Sequence, residues 1–452
     1  MSVRECYSTA FASAIIVALG GFLVGFDTAV LSGAAGALKN YFLLNDLALN
    51  IVIVSALVGT IFGAAGAGRL ADLFGRRGIL LGIAFIYFIS SLGCATAWSS
   101  QVFVIARVVS GLGIGAATVV VPLYIAEIAP ANRRGQLVCI FQLNIVIGIL
   151  ASFISNYLIA LAPQSEEAAW RWMLAVVALP ATLYLILLLL VPESPRWLVL
   201  KGRFHEAADA LAELGVLQST DKVATIRVSF GQELPAGREP LFQSKYSRPI
   251  LLVLVLAALN QFSGINALMY YAPSIFVIAG AGRNAALLQS IAIGSISVFF
   301  TIIAMLTIDV IGRRTLIRIG SIGMGICLLI VAWQFSLPLG WDRAMILLGL
   351  LGFIAFFSFS QGAVIWVFIS EIFPNAVRAQ GQSFGATIHW TLAALISWVF
   401  PMVAGGFASV AFVFFALLML LQLLWALYFM PETSGRTLEE VQNFSLSYQD
   451  EN

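Results

Sequence analysis

The sequence predicts an all-α integral membrane protein with twelve transmembrane helices in two six-helix bundles. Three observations carry this expectation: an apolar composition, a lopsided distribution of Lys and Arg, and an internal repeat. Of the 452 residues, 61% are hydrophobic and only 10% are charged, against about 25% charged residues in a soluble domain. A soluble core of this length cannot hide so much apolar surface. A bilayer accommodates it, because each spanning helix needs about 20 apolar residues.

Long apolar runs place the spans at 9–36, 49–69, 78–98, 101–124, 136–161 and 171–191, then at 248–279, 286–310, 315–336, 344–370, 382–403 and 406–430. Four domains follow from this pattern: an N-terminal bundle (1–191), a cytoplasmic linker with amphipathic helices (192–247), a C-terminal bundle (248–430) and a short cytoplasmic tail (431–452). The first run contains Asp27 and continues past residue 30, so it reads as a retained helix rather than a cleaved signal peptide. In the linker, Ser194 and Pro195 before RWLVLKGRFHEAADALAELG read as an N-cap, a first-position proline and one amphipathic helix.

With both termini in the cytoplasm, the inner segments hold Arg4, Arg69, Arg76, Arg77, Arg133, Arg134, the basic residues of 196–248, Arg313, Arg314, Arg318, Arg378 and Arg436. The outer loops hold only Lys39, Arg171, Arg283 and Arg343, and Arg107 alone sits inside a span. This asymmetry sets the orientation. GRLADLFGRR (68–77) recurs as TIDVIGRR (307–314), Glu127, Pro130 and Arg134 recur as Glu371, Pro374 and Arg378, and PES (192–194) recurs as PET (431–433). Three markers in one order at nearly one offset describe two halves related by a pseudo-twofold axis along the membrane normal. Sites in such proteins lie near the midplane between the halves.

Several function classes are excluded. A net charge of +2 gives no general attraction for nucleic acid. The four cysteines, Cys6, Cys94, Cys139 and Cys327, lie far apart and form no CxxC pair. Two histidines, His205 and His389, and no catalytic cluster argue against an enzyme, a metal or a cofactor. RVVSGLGIG (107–115) contains a GxGxG, but it follows no strand and lies in an apolar helix, so helix packing by small residues accounts for it. Asp27 is the one acidic residue deep inside a predicted span and Arg107 the one basic residue. Ionisable groups in a bilayer are costly and by default functional. A carboxylate that takes a proton loses its attraction for a nearby Arg, whereas a permanent structural pair between helices 1 and 4 is the alternative.

Along nearly its whole length the chain resembles the sugar porter family of the major facilitator superfamily. The matching segments are GFDTAVLSG (25–33), GRLADLFGRR, RVVSGLGIG, PLYIAEIAPANRRGQ (122–136), PESPRWL (192–198), QFSGINALMYYAP (261–273), DVIGRR (309–314), SEIFPNAVR (370–378) and PETSGRTLEE (431–440). PESPRWL, QFSGIN and PETSGRTLEE are the more specific. The resemblance is greatest to bacterial sugar–proton symporters, the xylose–proton type among them. It implies uptake of a hexose or pentose by proton symport through alternating access, by a monomer in the inner (plasma) membrane, with a sugar, a proton and the bilayer as partners.

The resemblance also implies roles. Asp27 and Arg107 stand at the proton-coupling positions. Gln142, Asn260, Gln261, Asn266, Tyr270, Trp366, His389 and Trp390 stand at substrate positions, where amides suit sugar hydroxyls and rings suit the CH face. Gly264 would let helix 7 loosen. Glu127, Arg134, Glu193, Glu371, Arg378 and Glu432 stand at the inner gate, where such charges bridge the two bundles when the transporter opens outward. The chain departs from the family pattern at Asn260 (commonly Gln), Ser297 (commonly Asn), His389 (commonly Gln or Asn) and GAVIW (362–366), which lacks the usual prolines and puts the bending of helix 10 in question. A facilitative uniporter and a non-transporting sugar sensor are the alternatives on the same fold.

Overall fold

The computed structural model describes residues 3–130, 133–162, 165–216, 219–229, 240–266, 268–269, 283–337, 342–374 and 377–434. The helices of the first half are α1 (Val3–Tyr41), α2 (Asp46–Phe74), α3 (Arg76–Ala95), α4 (Ser100–Ile128), α5 (Arg134–Leu161), α6 (Glu166–Ala175) and α7 (Ala178–Leu188). The last two follow each other closely and form one span. The linker carries α8 (Pro195–Leu200), α9 (Phe204–Glu213) and α10 (Ser219–Ser229). The second half contains α11 (Ser247–Gln261), α12 (Arg283–Ile311), α13 (Arg313–Ser336), α14 (Arg343–Phe359), α15 (Gln361–Ile372) and α16 (Arg378–Tyr428).

Among the described residues, eleven spans are long and apolar enough to cross a membrane. The seventh expected span is described only in its first part. There α11 ends at Gln261, and Gly264 takes φ +84°, a left-handed conformation that breaks the helix. Side chains such as Phe62, Leu179 and Val310 are 66, 71 and 86% exposed, as a lipid-facing surface requires.

Two expectations are corrected. The single amphipathic linker helix is two helices, α8 and α9, separated at Lys201–Arg203 where Gly202 has φ +71°. Ser194 caps α8 as expected, its side chain accepting from Trp197 N at 3.3 Å. The spans expected at 382–403 and 406–430 stand as two, Arg378–Phe400 and Ser409–Tyr428, within the continuous helical run of α16. A straight helix of that length would extend about 77 Å, more than twice a bilayer core. Both ends nevertheless lie near Glu371: α16 starts six residues beyond α15, and Thr433 Oγ1 donates to Glu371 Oε2 at 2.7 Å. The chain therefore doubles back within α16. Helix 10 also bends without its prolines, because Ser360 (φ −123°, ψ −87°) interrupts it between α14 and α15.

Within the first half α1 packs on α5 and α2 on α4; within the second, α13 packs on α14 and α16. The halves meet where α2 faces α16 and α5 faces α12. Gly111 and Gly115 let α4 lie directly against α2, since a Cβ on either would collide with the carbonyl oxygens of Ala56 and Thr60. That is the packing role read from RVVSGLGIG.

The repeat seen in sequence is a repeat of bonds. In the first half Arg76 reaches Glu127 at 2.8 Å and Asp72 at 3.1 Å. Glu193 accepts from Arg76 N at 2.9 Å and Arg77 N at 3.2 Å, and Ser194 Oγ donates to Glu127. In the second half Arg313 reaches Glu371 and Asp309, each at 2.8 Å. Glu432 accepts from Arg313 N at 2.9 Å and Arg314 N at 3.0 Å, and Thr433 takes the place of Ser194. Gly75 and Gly312, at φ +89° and +86°, turn the chain into α3 and α13. Desolvation raises the Glu193 carboxyl above its ordinary range, opposed by the N–H donors of Ser194 and Arg77.

Arg76 and Glu127 are almost completely buried, at 3 and 5% side-chain exposure. Removing one member of such a pair leaves a buried charge with too few partners. Glu127→Ala is expected to destabilise the protein by about 3 kcal/mol, and Glu127→Gln by less, because one acceptor oxygen remains. Thermal unfolding in detergent measures both.

Candidate functional site: a central cavity and a buried ion pair

A cavity of about 80 Å³ lies between the halves. From the first half it is lined by Val24 and Thr28 of α1 and by Gln142, Ile145, Val146 and Ile149 of α5. From the second half come Asn260 and Gln261 of α11, Asn266 and Met269 beyond the Gly264 break, Phe357 and Ser358 of α14, Trp366 of α15, and His389 and Trp390 of α16. Seven of the eight expected substrate residues therefore share one cavity; Tyr270 lies outside the described residues.

The polar groups satisfy one another. Asn266 Nδ2 donates to Gln261 Oε1 at 2.6 Å, and Gln261 Nε2 donates to Asn260 Oδ1 at 3.1 Å. The same Nε2 lies 3.0 and 2.9 Å from the two ring nitrogens of His389, so it donates to whichever is unprotonated. Trp366 Nε1 donates to Gln142 Oε1 at 3.1 Å and Trp390 Nε1 to Thr118 Oγ1 at 3.1 Å. Both bonds cross between the halves. The His389 ring sits between the two indoles, 5.0 Å from Trp366 and 5.1 Å from Trp390 by ring centroids. The result is a ring-lined pocket with donors and acceptors on several sides and no charged side chain among its described lining residues.

The charge stands one residue away. Asp27 lies on α1 next to Thr28, and both of its carboxylate oxygens accept from Arg107 Nη1 at 2.8 Å. Asp27 is 5% exposed and Arg107 1%. α1 thus presents the cavity wall with one face and the ion pair with the adjacent one.

Ser297, on α12, is fully buried and is not among the residues that line the cavity. The six expected gate residues lie on the GRR-turn face, but the bonds described for Glu127, Glu193, Glu371 and Glu432 stay within their own halves. Arg134 and Arg378 are buried at the first positions of α5 and α16. On that face the halves meet through other groups: Gln136 N donates to Asp309 Oδ2 at 2.9 Å and Gly68 N to Ser383 Oγ at 2.8 Å. Sequence reasoning missed Thr28, Thr118 and Phe357, which are ordinary residues of apolar helices, and it missed Ser383. A larger cavity of about 470 Å³ lies on the same seam, lined by Arg69, Asp72, Phe242, Gln380, Ser383 and Phe384.

Two helical bundles with a ring-lined polar cavity between them and a buried ion pair beside its wall define a membrane carrier of a small polar solute. The chain belongs to the sugar (and other) transporter family, whose model matches residues 13–444. It is a transporter of the major facilitator fold, not an enzyme. It is 36% identical to the arabinose-proton symporter of Bacillus subtilis, over 94% of this chain and 92% of the relative. It is 35% identical to the D-xylose-proton symporter of Escherichia coli, over 98% and 97%. The solved structure of the proton:xylose symporter XylE bound to 6-bromo-6-deoxy-D-glucose matches with a TM-score of 0.90 at 35% identity, covering 97% of this chain and 99% of that one.

Proposed function

We propose that this protein takes up a monosaccharide, a hexose or pentose, together with a proton by alternating access. Relatives named as arabinose-proton and D-xylose-proton symporters support the reading. The observation that carries it is the position of Asp27: it holds Arg107 while its neighbour Thr28 lines the cavity. Protonation neutralises Asp27 and weakens its hold on Arg107, which frees α1 to move against α4 and carries the cavity wall with it. In this reading Gln142, Asn260, Gln261, Asn266, Tyr270, Trp366, His389 and Trp390 bind the sugar, with His389 serving as an amide does, donor at one nitrogen and acceptor at the other. Glu127, Arg134, Glu193, Glu371, Arg378 and Glu432 hold the inner gate by fixing the turns of each half, and the limits 1–191, 192–247, 248–430 and 431–452 divide the chain. It works as a monomer in the inner (plasma) membrane, with both termini in the cytoplasm, in accord with the distribution of Lys and Arg.

Proteoliposomes loaded with a pH gradient, acid outside, test the symport. Radiolabelled D-xylose, arabinose or D-glucose should accumulate above equilibrium only with the gradient. Asp27→Asn should abolish that accumulation and keep sugar binding within a few fold. Accumulation by Asp27→Asn equal to wild type would remove the proton from Asp27, and gradient-independent equilibration by wild type would make the protein a uniporter.

Calorimetry tests the pocket. A buried hydroxyl left without its partner costs about 1–3 kcal/mol, so Gln142→Ala, Gln261→Ala and Asn266→Ala should each weaken binding about 5- to 150-fold. Trp366→Ala should weaken it as well, and His389→Gln should weaken it less than His389→Ala. Unchanged affinity in all of the alanine variants would move the sugar site elsewhere.

A further inference from the structure

Beside the ion pair, two buried hydroxyls have no hydrogen-bond partner among the described residues: Tyr87 OH on α3 and Ser110 Oγ on α4. Tyr87 is 0% exposed and Ser110 1%. Buried polar groups are ordinarily bonded, and a helical serine usually settles on a carbonyl one turn back, as Ser321 does on Ile317 O at 2.7 Å. Two exceptions in one neighbourhood need a reason.

Helix geometry shows where they lie. Arg107, Ser110 and Gly113 climb α4 at intervals of three residues, so each is rotated from the last in the same sense. Arg107 faces α1, where it meets Asp27. Gly113 faces α3, where an added Cβ would touch the Tyr87 ring at 3.4 Å. Ser110 falls between these two faces. The Tyr87 hydroxyl feels the charges of Asp27 and Arg107, and Cys94, two turns further along α3, feels them too. The titratable groups facing the pair are therefore Tyr87 and Cys94 from α3, with Tyr184 of α7 beyond Tyr87. Tyr184 is committed, its OH donating to Val17 O at 3.1 Å.

We propose that Tyr87 is a positioning residue for the proton-loaded state: when Asp27 takes up a proton and releases Arg107, the new carboxyl O–H donates to the Tyr87 oxygen while Ser110 Oγ accepts from the freed guanidinium. This rests on the reading of Asp27 as the proton carrier. The ionised state uses both carboxylate oxygens on Arg107 and leaves the two hydroxyls unbonded; the neutral state reverses this. A hydrogen bond made to the neutral carboxyl raises its affinity for a proton. Tyr87 thereby sets the pH at which the carrier loads, without touching the sugar.

The test is uptake of radiolabelled D-xylose, arabinose and D-glucose into proteoliposomes as a function of external pH, for wild type, Tyr87→Phe, Ser110→Ala, Asp27→Asn and the double variant Tyr87→Phe/Asp27→Asn. Tyr87→Phe should need more acid: its half-maximal pH should fall by about half to one unit, the equivalent of one neutral hydrogen bond. Ser110→Ala should move it in the same direction by less. In the Asp27→Asn background, Tyr87→Phe should leave sugar exchange unaltered. An unshifted or upward-shifted profile for Tyr87→Phe, with Asp27→Asn uncoupled, overturns the inference and leaves the symport reading standing. Equal losses of exchange with and without Asp27 would make Tyr87 a packing residue and also overturn it. Undiminished accumulation by Asp27→Asn would instead overturn the underlying reading.

Discussion

A guanidinium inside a bilayer cannot shed its proton and is costly without an acceptor. Arg107 is almost fully buried, and the two oxygens of Asp27 supply its anion. That one pair ties α4 to α1, α1 in turn packs along α5, and α1 and α5 together make the first-half wall of the central cavity. In the proposed symport the position of the wall would follow the charge state of one carboxyl. Arg107 cannot shed its proton, so that reading assigns the response to Asp27. A pair with two titratable members would have two ways to relax; this one has a single way, which suits it to coupling a proton to a movement.

The clamps at the GRR turns serve a different purpose. Each gathers an Arg, two Glu and a hydroxyl from separate turns of one half, and Asp309 also reaches across to Gln136 N of α5. Such bonds tie the turns of each half to one another at that end, while single bonds such as Gly68 N to Ser383 Oγ cross the seam. Halves that are each braced internally favour rigid-body motion between bundles over deformation within one. Gly264 and Ser360 add local freedom where α11 and the α14–α15 span approach the cavity.

Much of this was legible because it is written in residue types that a membrane makes conspicuous. An Asp and an Arg in apolar runs stand out at once, and so does a GRR turn that occurs twice. Amides and tryptophans in the expected positions of α5, α11, α15 and α16 converge on one cavity. The illegible parts depend on geometry that composition does not encode. The bend at Ser360 is made without proline. The division between α8 and α9 turns on one glycine among helix formers. Thr118 matters only because a tryptophan from the other half finds it. Tyr87 is an unremarkable ring in an apolar helix until its hydroxyl is seen to be unbonded. The gate residues were expected to bridge the bundles, yet most of their described bonds close within a half, because the repeat supplies each half with a complete set of partners.

The size of the cavity bears on how such a site can work. At about 80 Å³ it is well below the ~300–1,000 Å³ of ordinary small-molecule sites, so a sugar enters only if the walls part. The bonds that hold the walls together are Trp366 to Gln142 and Trp390 to Thr118 between the halves, with the chain from Asn266 through Gln261 to His389 within one half. Those same donors and acceptors are the ones that suit sugar hydroxyls. A sugar that enters can exchange these internal bonds for bonds to itself, so little is left unsatisfied. In the proposed function that exchange would loosen Trp366 from Gln142, a bond that crosses the seam, so occupying the pocket and releasing one half from the other would be parts of the same rearrangement.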